Sequence, residues 1–304
     1  MVIWQLILLP TILQLGPFTI TSLGLMVVLG FFFGSFLIWK KEKEEGLDEE
    51  KVMDGIFLVG LASLVGGRTG FILLFWKQLK GGLAAWFDFV GQPGFWWLGM
   101  VVGGILALRY LSEKNNWDFY KVADFATFGL VLTAAFITLG AFLDGSSYGS
   151  VTNLPWGIKF PGLTEPRHPT QLYELVFMFL ILKLLYYFDK NYRTYSWYRD
   201  KRGEAAAGFL FLSFLALFSL EKMFVGFFKD RGSNWLTAEI FSLLTLLTSL
   251  VLIFVRSGLE WEEFFPQKTR EKKRVFFTNN KVKKEQKRRR SKKKSYLKTG
   301  MEAK

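Results

Sequence analysis

The sequence has no cysteine and a single histidine, His168. Without cysteine, disulfides, thiolate metal sites and a cysteine nucleophile are all excluded within the chain, so any thiol chemistry must use a partner's thiol. No metal site and no cofactor is expected. Charge is missing at the start, where no lysine or arginine precedes Lys40. The first 17 residues are apolar and carry Pro10 and Pro17, but they lack the positive start of a signal peptide, and an uncleaved interfacial lead-in is expected. Neither an inverted internal repeat nor a pair of broken helices is apparent, which disfavours a small-solute transporter or channel.

What fills the chain instead is apolar. Of its 304 residues 51% are hydrophobic and 18% aromatic, with 33 phenylalanines, more than one water-soluble core can hide. A helix needs about 20 mostly apolar residues to cross the hydrocarbon layer. Windows near residues 18–39, 55–76, 94–111, 121–143, 171–188, 206–228 and 235–255 meet that length with their charges at the edges. The expected fold is all-α: a polytopic membrane bundle of about seven transmembrane helices over residues 1–255, with an ordered extracytoplasmic loop.

The net charge of +13 suggests nucleic acid until it is divided along the chain. Residues 267–304 hold 17 Lys/Arg and 3 Asp/Glu, a net of +14, which leaves −1 for residues 1–266. Residues 256–304 therefore read as a basic tail, too charged to bury a core and expected to be disordered. Beside a membrane such a tail lies against anionic lipid headgroups, at roughly 1 kcal/mol per basic residue near the surface. Nucleic acid is not the expected partner. Basic residues are denser at 40–54, 109–121 and 189–205 than in the alternate loops, which orients the N-terminus outside and the tail in the cytoplasm. The stretch 144–170 then lies outside. Pro155, Gly157, Pro161 and Gly162, with Trp156 and Phe160 among them, favour an ordered cap over a loose linker.

Ionisable residues inside spans are costly, so each is a functional candidate. Arg68 falls mid-span within Gly66-Gly67-Arg68-Thr69-Gly70. Two readings stand for it: a bidentate grip on a lipid phosphate, or an ion pair with Asp124, Asp144, Glu174 or Glu239. His168 precedes the helix opening Pro169-Thr170-Gln171-Leu172-Tyr173-Glu174. A lone histidine is commonly structural, yet one at a membrane mouth suits a general base near neutral pH. Gln171 and Glu174 share a helix face and can orient a polar ligand or serve packing alone. Glu221-Lys222 lie inside the sixth span, with Lys229, Asp230 and Arg231 at its outer end. Lys222 offers either a second cationic contact for an anionic headgroup or a snorkelling, carboxylate-paired structural charge. Gly99-x-x-x-Gly103 fits close helix packing.

Several strings together resemble the prolipoprotein diacylglyceryl transferases of bacterial membranes. They are Leu15-Gly16-Pro17, Gly24-Leu25-Met26, Gly66-Gly67-Arg68-Thr69-Gly70-Phe71, Leu154-Pro155-Trp156-Gly157, Phe160-Pro161 and, most specific, Arg167-His168-Pro169-Thr170-Gln171-Leu172-Tyr173-Glu174. The resemblance implies seven spans, an outside N-terminus and a plasma-membrane location. It also implies a reaction in which the diacylglyceryl group of phosphatidylglycerol moves to the lipobox cysteine thiol in the signal peptide of a prolipoprotein. Catalytic roles are then expected for His168, Arg68 and Glu174, and lipid or substrate binding for Gln171, Tyr173, Asp144, Gly145 and Lys222.

The pattern also departs from that family. Where its members carry an arginine, two asparagines and a glutamate, this chain aligns Thr138, Ala141, Asp144 and Ser146. A family histidine corresponds to Trp97, an arginine to Lys222 and a nearby glutamate to Gly226. An alternative therefore remains: a relative that binds a lipid or a lipoprotein precursor without turning it over.

Overall fold

The computed structural model describes residues 8–15, 18–76, 84, 86–88, 92, 94–192, 195, 198, 205–230 and 235–257. By its internal contacts the chain divides into Met1–Ser257 and Gly258–Lys304, and every described residue belongs to the first unit. The basic tail, the first seven residues, Gly16-Pro17, Arg231 and most of the basic loop at 193–204 lie outside the described residues.

Among the described residues two short strands precede seven helices. Strand β1 (Thr11–Leu15) pairs antiparallel with β2 (Phe18–Thr21), matching Leu15 to Phe18 and Thr11 to Thr21. The first span was expected from residue 18, but its opening is strand. Pro10 and Pro17 disfavour helix in their vicinity, and the β-branched Thr19, Ile20 and Thr21 suit extended backbone. Helix α1 (Ser22–Glu44) then starts on a Thr21 cap, whose hydroxyl accepts from the Gly24 N–H at 3.0 Å. Asp48 caps α2 (Glu49–Phe75), and Asp118 caps α4 (Phe119–Asp144). Between these lies α3 (Trp97–Asn115), followed after the long loop by α5 (Thr170–Asn191), α6 (Phe209–Gly226) and α7 (Trp235–Arg256).

Six of these helices are long and apolar enough to cross a membrane; α3 is the exception. Its 19 residues end with Arg109, Glu113 and Lys114, and its apolar stretch is correspondingly short. Helix α4 is central. It packs most extensively on α1 and also contacts α3, α5 and α6, while α2 pairs with α3 and α6 with α7. Small residues permit these approaches: a Cβ on Gly66 would strike the Gly99 carbonyl, and one on Gly103 would strike that of Ala62. The expected Gly99/Gly103 seam thus faces α2. The apolar core between α4, α5 and α6 is built from Phe128, Met178, Leu185, Phe209 and Leu210.

Alternating helix directions gather the start of α5, the ends of α2, α4 and α6, and the 145–169 loop at one end. At the other end Lys41 pairs with Asp189 at 2.6 Å, and Asp124 accepts the Gly208 and Phe211 N–H groups that open α6, at 2.6 and 2.8 Å. Asp124 therefore caps a helix, and its described contacts are remote from Arg68.

Candidate functional site

The loop after α4 is tied down along its length. Gly145 closes α4 at φ +75°, a conformation open to glycine without strain, and its N–H returns to Phe142 at 3.1 Å. This turn aims two carbonyls at the start of α5. Ser147 accepts from the Thr170 hydroxyl at 2.8 Å, and Ser146 accepts from the Gln171 amide nitrogen. Further on, Ile158 and Arg167 exchange backbone hydrogen bonds at 3.0 and 2.9 Å, and His168 donates its N–H to Ser150 at 3.0 Å. Beneath them Ile158 and Phe160 bury themselves with Phe142 and Leu8, so Leu8 is part of the cap's floor. The ordered loop expected from its turn residues is present.

His168, Tyr173, Glu174 and Lys222 come together at this end. The His168 Nδ1 lies 3.1 Å from the Tyr173 hydroxyl, and its ring packs 5.2 Å from that of Phe228. Partial burial holds the His168 pKa below the ordinary 6.5 by disfavouring the charged imidazolium. Tyr173 also accepts from the Trp156 indole nitrogen at 2.8 Å. Trp156 was expected only to help order the loop. Its place at the site is visible in sequence solely as part of Leu154-Pro155-Trp156-Gly157.

One residue on, the Glu174 carboxylate collects two cations. Lys229 reaches one oxygen at 2.7 Å and Lys222 the other at 3.2 Å. Lys222 also lies 3.4 Å from Glu221, which is almost wholly buried and has no hydrogen-bond partner on either oxygen among the described residues. Of the two readings for Lys222, carboxylate pairing is therefore realised; yet its side chain stays 32% exposed and open to an anion. Gln171 is buried, and while its amide nitrogen is committed to Ser146 its oxygen has no partner among the described residues. Asp144 is half-exposed at the end of α4, and no hydrogen bond or ion pair of its carboxylate occurs among the described residues.

Arg68 takes a different part. It lies in the last two turns of α2, not mid-span, because that helix extends back to Glu49. Its guanidinium donates to the carbonyls of Gln92 at 2.8 Å, Asp88 at 2.9 Å, Gly94 at 3.1 Å and Trp86 at 3.4 Å. Five N–H groups in a planar fork make arginine suited to gathering carbonyls in this way. These contacts tie Trp86, Asp88, Gln92 and Gly94 to the end of α2, whereas the contacts of His168, Glu174 and Lys222 among the described residues lie elsewhere. Glu239, another carboxylate considered for Arg68, seats its side chain on Gly226, where an added Cβ would collide with it. The α6 position that lacks the family glutamate is thus faced by a glutamate from α7. At the position of the absent histidine, the Trp97 ring meets Phe241 edge-on at 4.9 Å.

A family model described as prolipoprotein diacylglyceryl transferase matches residues 10–255. The chain belongs to this family. Relatives named phosphatidylglycerol--prolipoprotein diacylglyceryl transferase include that of Geobacter sulfurreducens, 32% identical over 247 residues, which cover 79% of this chain and 89% of the relative. Another, from Aeromonas hydrophila, is 30% identical over 223 residues, covering 71% and 77%. A Clostridium perfringens relative with the same name, numbered 2, is 29% identical over 243 residues, covering 77% and 90%. As a member of the prolipoprotein diacylglyceryl transferase family the chain is a transferase, and its apolar helices make it a multi-pass membrane protein.

Proposed function

We propose that this chain transfers the diacylglyceryl group of phosphatidylglycerol to the lipobox cysteine of a prolipoprotein signal peptide. The observation that carries the reading is the Glu174 carboxylate holding Lys222 and Lys229 beside the His168–Tyr173 pair, under a folded loop at one end of a membrane bundle. A phosphodiester needs cations that stay in place at the polar edge of the hydrocarbon layer, and Glu174 fixes two. The Gln171 oxygen accepts a headgroup hydroxyl, and Asp144 and Gly145 border the substrate. Arg68 contributes by tying Trp86, Asp88, Gln92 and Gly94 to the end of α2. In the reaction the cysteine sulfur bonds to the glyceryl carbon, the carbon–oxygen bond to phosphate breaks, and glycerol phosphate departs; the thiol proton leaves to that product or to solvent. Because the chain has no thiol, the acceptor sulfur comes from the substrate.

The setting is a bacterial plasma membrane with the N-terminus and the 145–169 loop outside and the basic tail on the cytoplasmic side against anionic headgroups. Three things support it: the loop charge asymmetry, the bacterial relatives, and exclusion of the tail's charge from the remainder of the chain. The competing reading, a binder without turnover, draws on Thr138, Ala141, Ser146 and Trp97 at positions where the family carries polar or charged groups.

The test is reconstitution of the purified chain with phosphatidylglycerol and a lipobox peptide, followed by the mass of the peptide. A diacylglyceryl gain on cysteine, absent from a serine-for-cysteine peptide, is expected. No gain where another family member works supports the binding reading. A gain undiminished in both H168A and K222A overturns the site assignment.

A further inference from the structure

Tyr173 stands between two nitrogens, and the chemistry of one fixes the state of the other. The Trp156 indole nitrogen is 2.8 Å from the hydroxyl and His168 Nδ1 is 3.1 Å from it. An indole N–H can only donate, so the Tyr173 oxygen accepts from Trp156. The hydroxyl keeps its own proton, for which His168 Nδ1 is the one hydrogen-bond acceptor among the described residues. Were Nδ1 protonated, two N–H groups would converge on one oxygen and the tyrosine proton would have no partner among the described residues. Among them, only the sequence Trp156 to Tyr173 to His168 satisfies all three groups.

Neither end of this chain is loose. Trp156 sits in a turn closed by the Gly157 N–H to Leu154 at 2.9 Å. The His168 backbone is bonded in both directions, to Ser150 at 3.0 Å and from Gly149 at 2.9 Å, and its ring lies against Tyr173 and Phe228. Turning the imidazole over would put a C–H where the hydroxyl now donates.

We propose that Trp156, acting through Tyr173, holds His168 as the tautomer with its proton on Nε2, so that the ring offers a phosphate oxygen a hydrogen-bond donor. The tautomer assignment stands on the hydrogen-bond chain alone, while the phosphate ligand rests on the transferase reading above. A neutral imidazole donor stabilises charge gathering on the departing phosphate and neither gains nor loses a proton, so the thiol proton does not pass through His168. The depressed basicity of the partly buried ring agrees with this part. Trp156 is then a positioning residue, and the general-base role that the sequence suggested for His168 gives way to a donor role.

Because His168 is the only histidine, its two ring nitrogens can be read individually by nitrogen-15 NMR of the histidine-labelled full chain in phosphatidylcholine nanodiscs. Wild type is expected to show a protonated Nε2 and an unprotonated, hydrogen-bonded Nδ1. Both W156F, at an exposed position where folding is not at stake, and Y173F should move the ring toward the tautomer mixture of free histidine. A proton on Nδ1 in wild type, or a ring state unmoved by both variants, overturns the proposal. Replacing part of the lipid by phosphatidylglycerol should shift the Nε2 signal, whereas inorganic phosphate should not. A shift with neither, or an equal shift with both, overturns the lipid-phosphate donor role. Persistence of the shift in a protein that gives no peptide mass gain would sink the transferase reading and leave this inference standing.

Discussion

At the scale of single residues, the site separates groups that bind from groups that hold other groups in place. Arg68 belongs to the second kind, since its guanidinium donates to the carbonyls of Trp86, Asp88, Gln92 and Gly94. R68A should lower stability by about 1–3 kcal/mol, because a buried guanidinium and its hydrogen bonds to half-buried carbonyls are lost together. R68K should recover less than half of that, an ammonium being unable to span the same acceptors. Thermal unfolding in nanodiscs measures both, and an R68A protein as stable as wild type contradicts the assignment. His168 behaves differently. Folding disfavours its protonated form, so the associated stability is complete above the ordinary value of 6.5 and is lost as pH falls through the lower folded value. Transfer that depends on the neutral ring should fall along an acid limb centred below 6.5. An acid limb centred above 6.5 would contradict the lowered basicity of the folded ring, and a rate that rises as pH falls through this range would contradict the neutral-imidazole role.

Elements show what could be read in the sequence and what could not. Apolar runs located all seven helices among the described residues, six of them of spanning length, because lipid demands such runs and little else produces them. The hairpin at Thr11–Thr21 was missed because its residues are as apolar as a span, and only the prolines and β-branched residues distinguish it. The specific string from Arg167 to Glu174 announced His168, Tyr173 and Glu174 as neighbours along one chain segment. Partners supplied by other elements stayed hidden: Lys229 on Glu174, Trp156 on Tyr173, and the carbonyls around Arg68 all depend on tertiary contacts between separate segments. The Gly226–Glu239 contact between α6 and α7 is of the same kind, a carboxylate from one helix seated where another lacks a side chain. G226A should cost about 1–3 kcal/mol by overpacking. Combining it with E239A should restore most of that loss, and strict additivity in the double-mutant cycle would show that the two residues do not touch.

For the whole molecule, the absence of cysteine makes topology directly measurable. With no native thiol to interfere, single cysteines report their side of the membrane cleanly. K159C, in the loop between α4 and α5, should react with a membrane-impermeant maleimide on intact cells, and K43C, near the end of α1, only after lysis. The reverse pattern would invert the orientation and put the Glu174–Lys222–Lys229 cluster on the cytoplasmic side. The bundle explains how such a cluster persists in a membrane protein: two carboxylates and two ammoniums neutralise one another at the polar end of α5 and α6, beneath a loop with its own apolar floor.

The most direct test of the account is the stoichiometry of products from the reconstituted chain, phosphatidylglycerol and a lipobox peptide. One glycerol phosphate released for each diacylglyceryl thioether formed is the predicted result, with both products reduced together in K222A. Peptide left unmodified while phosphatidylglycerol remains intact, under conditions where a relative completes the reaction, would contradict it.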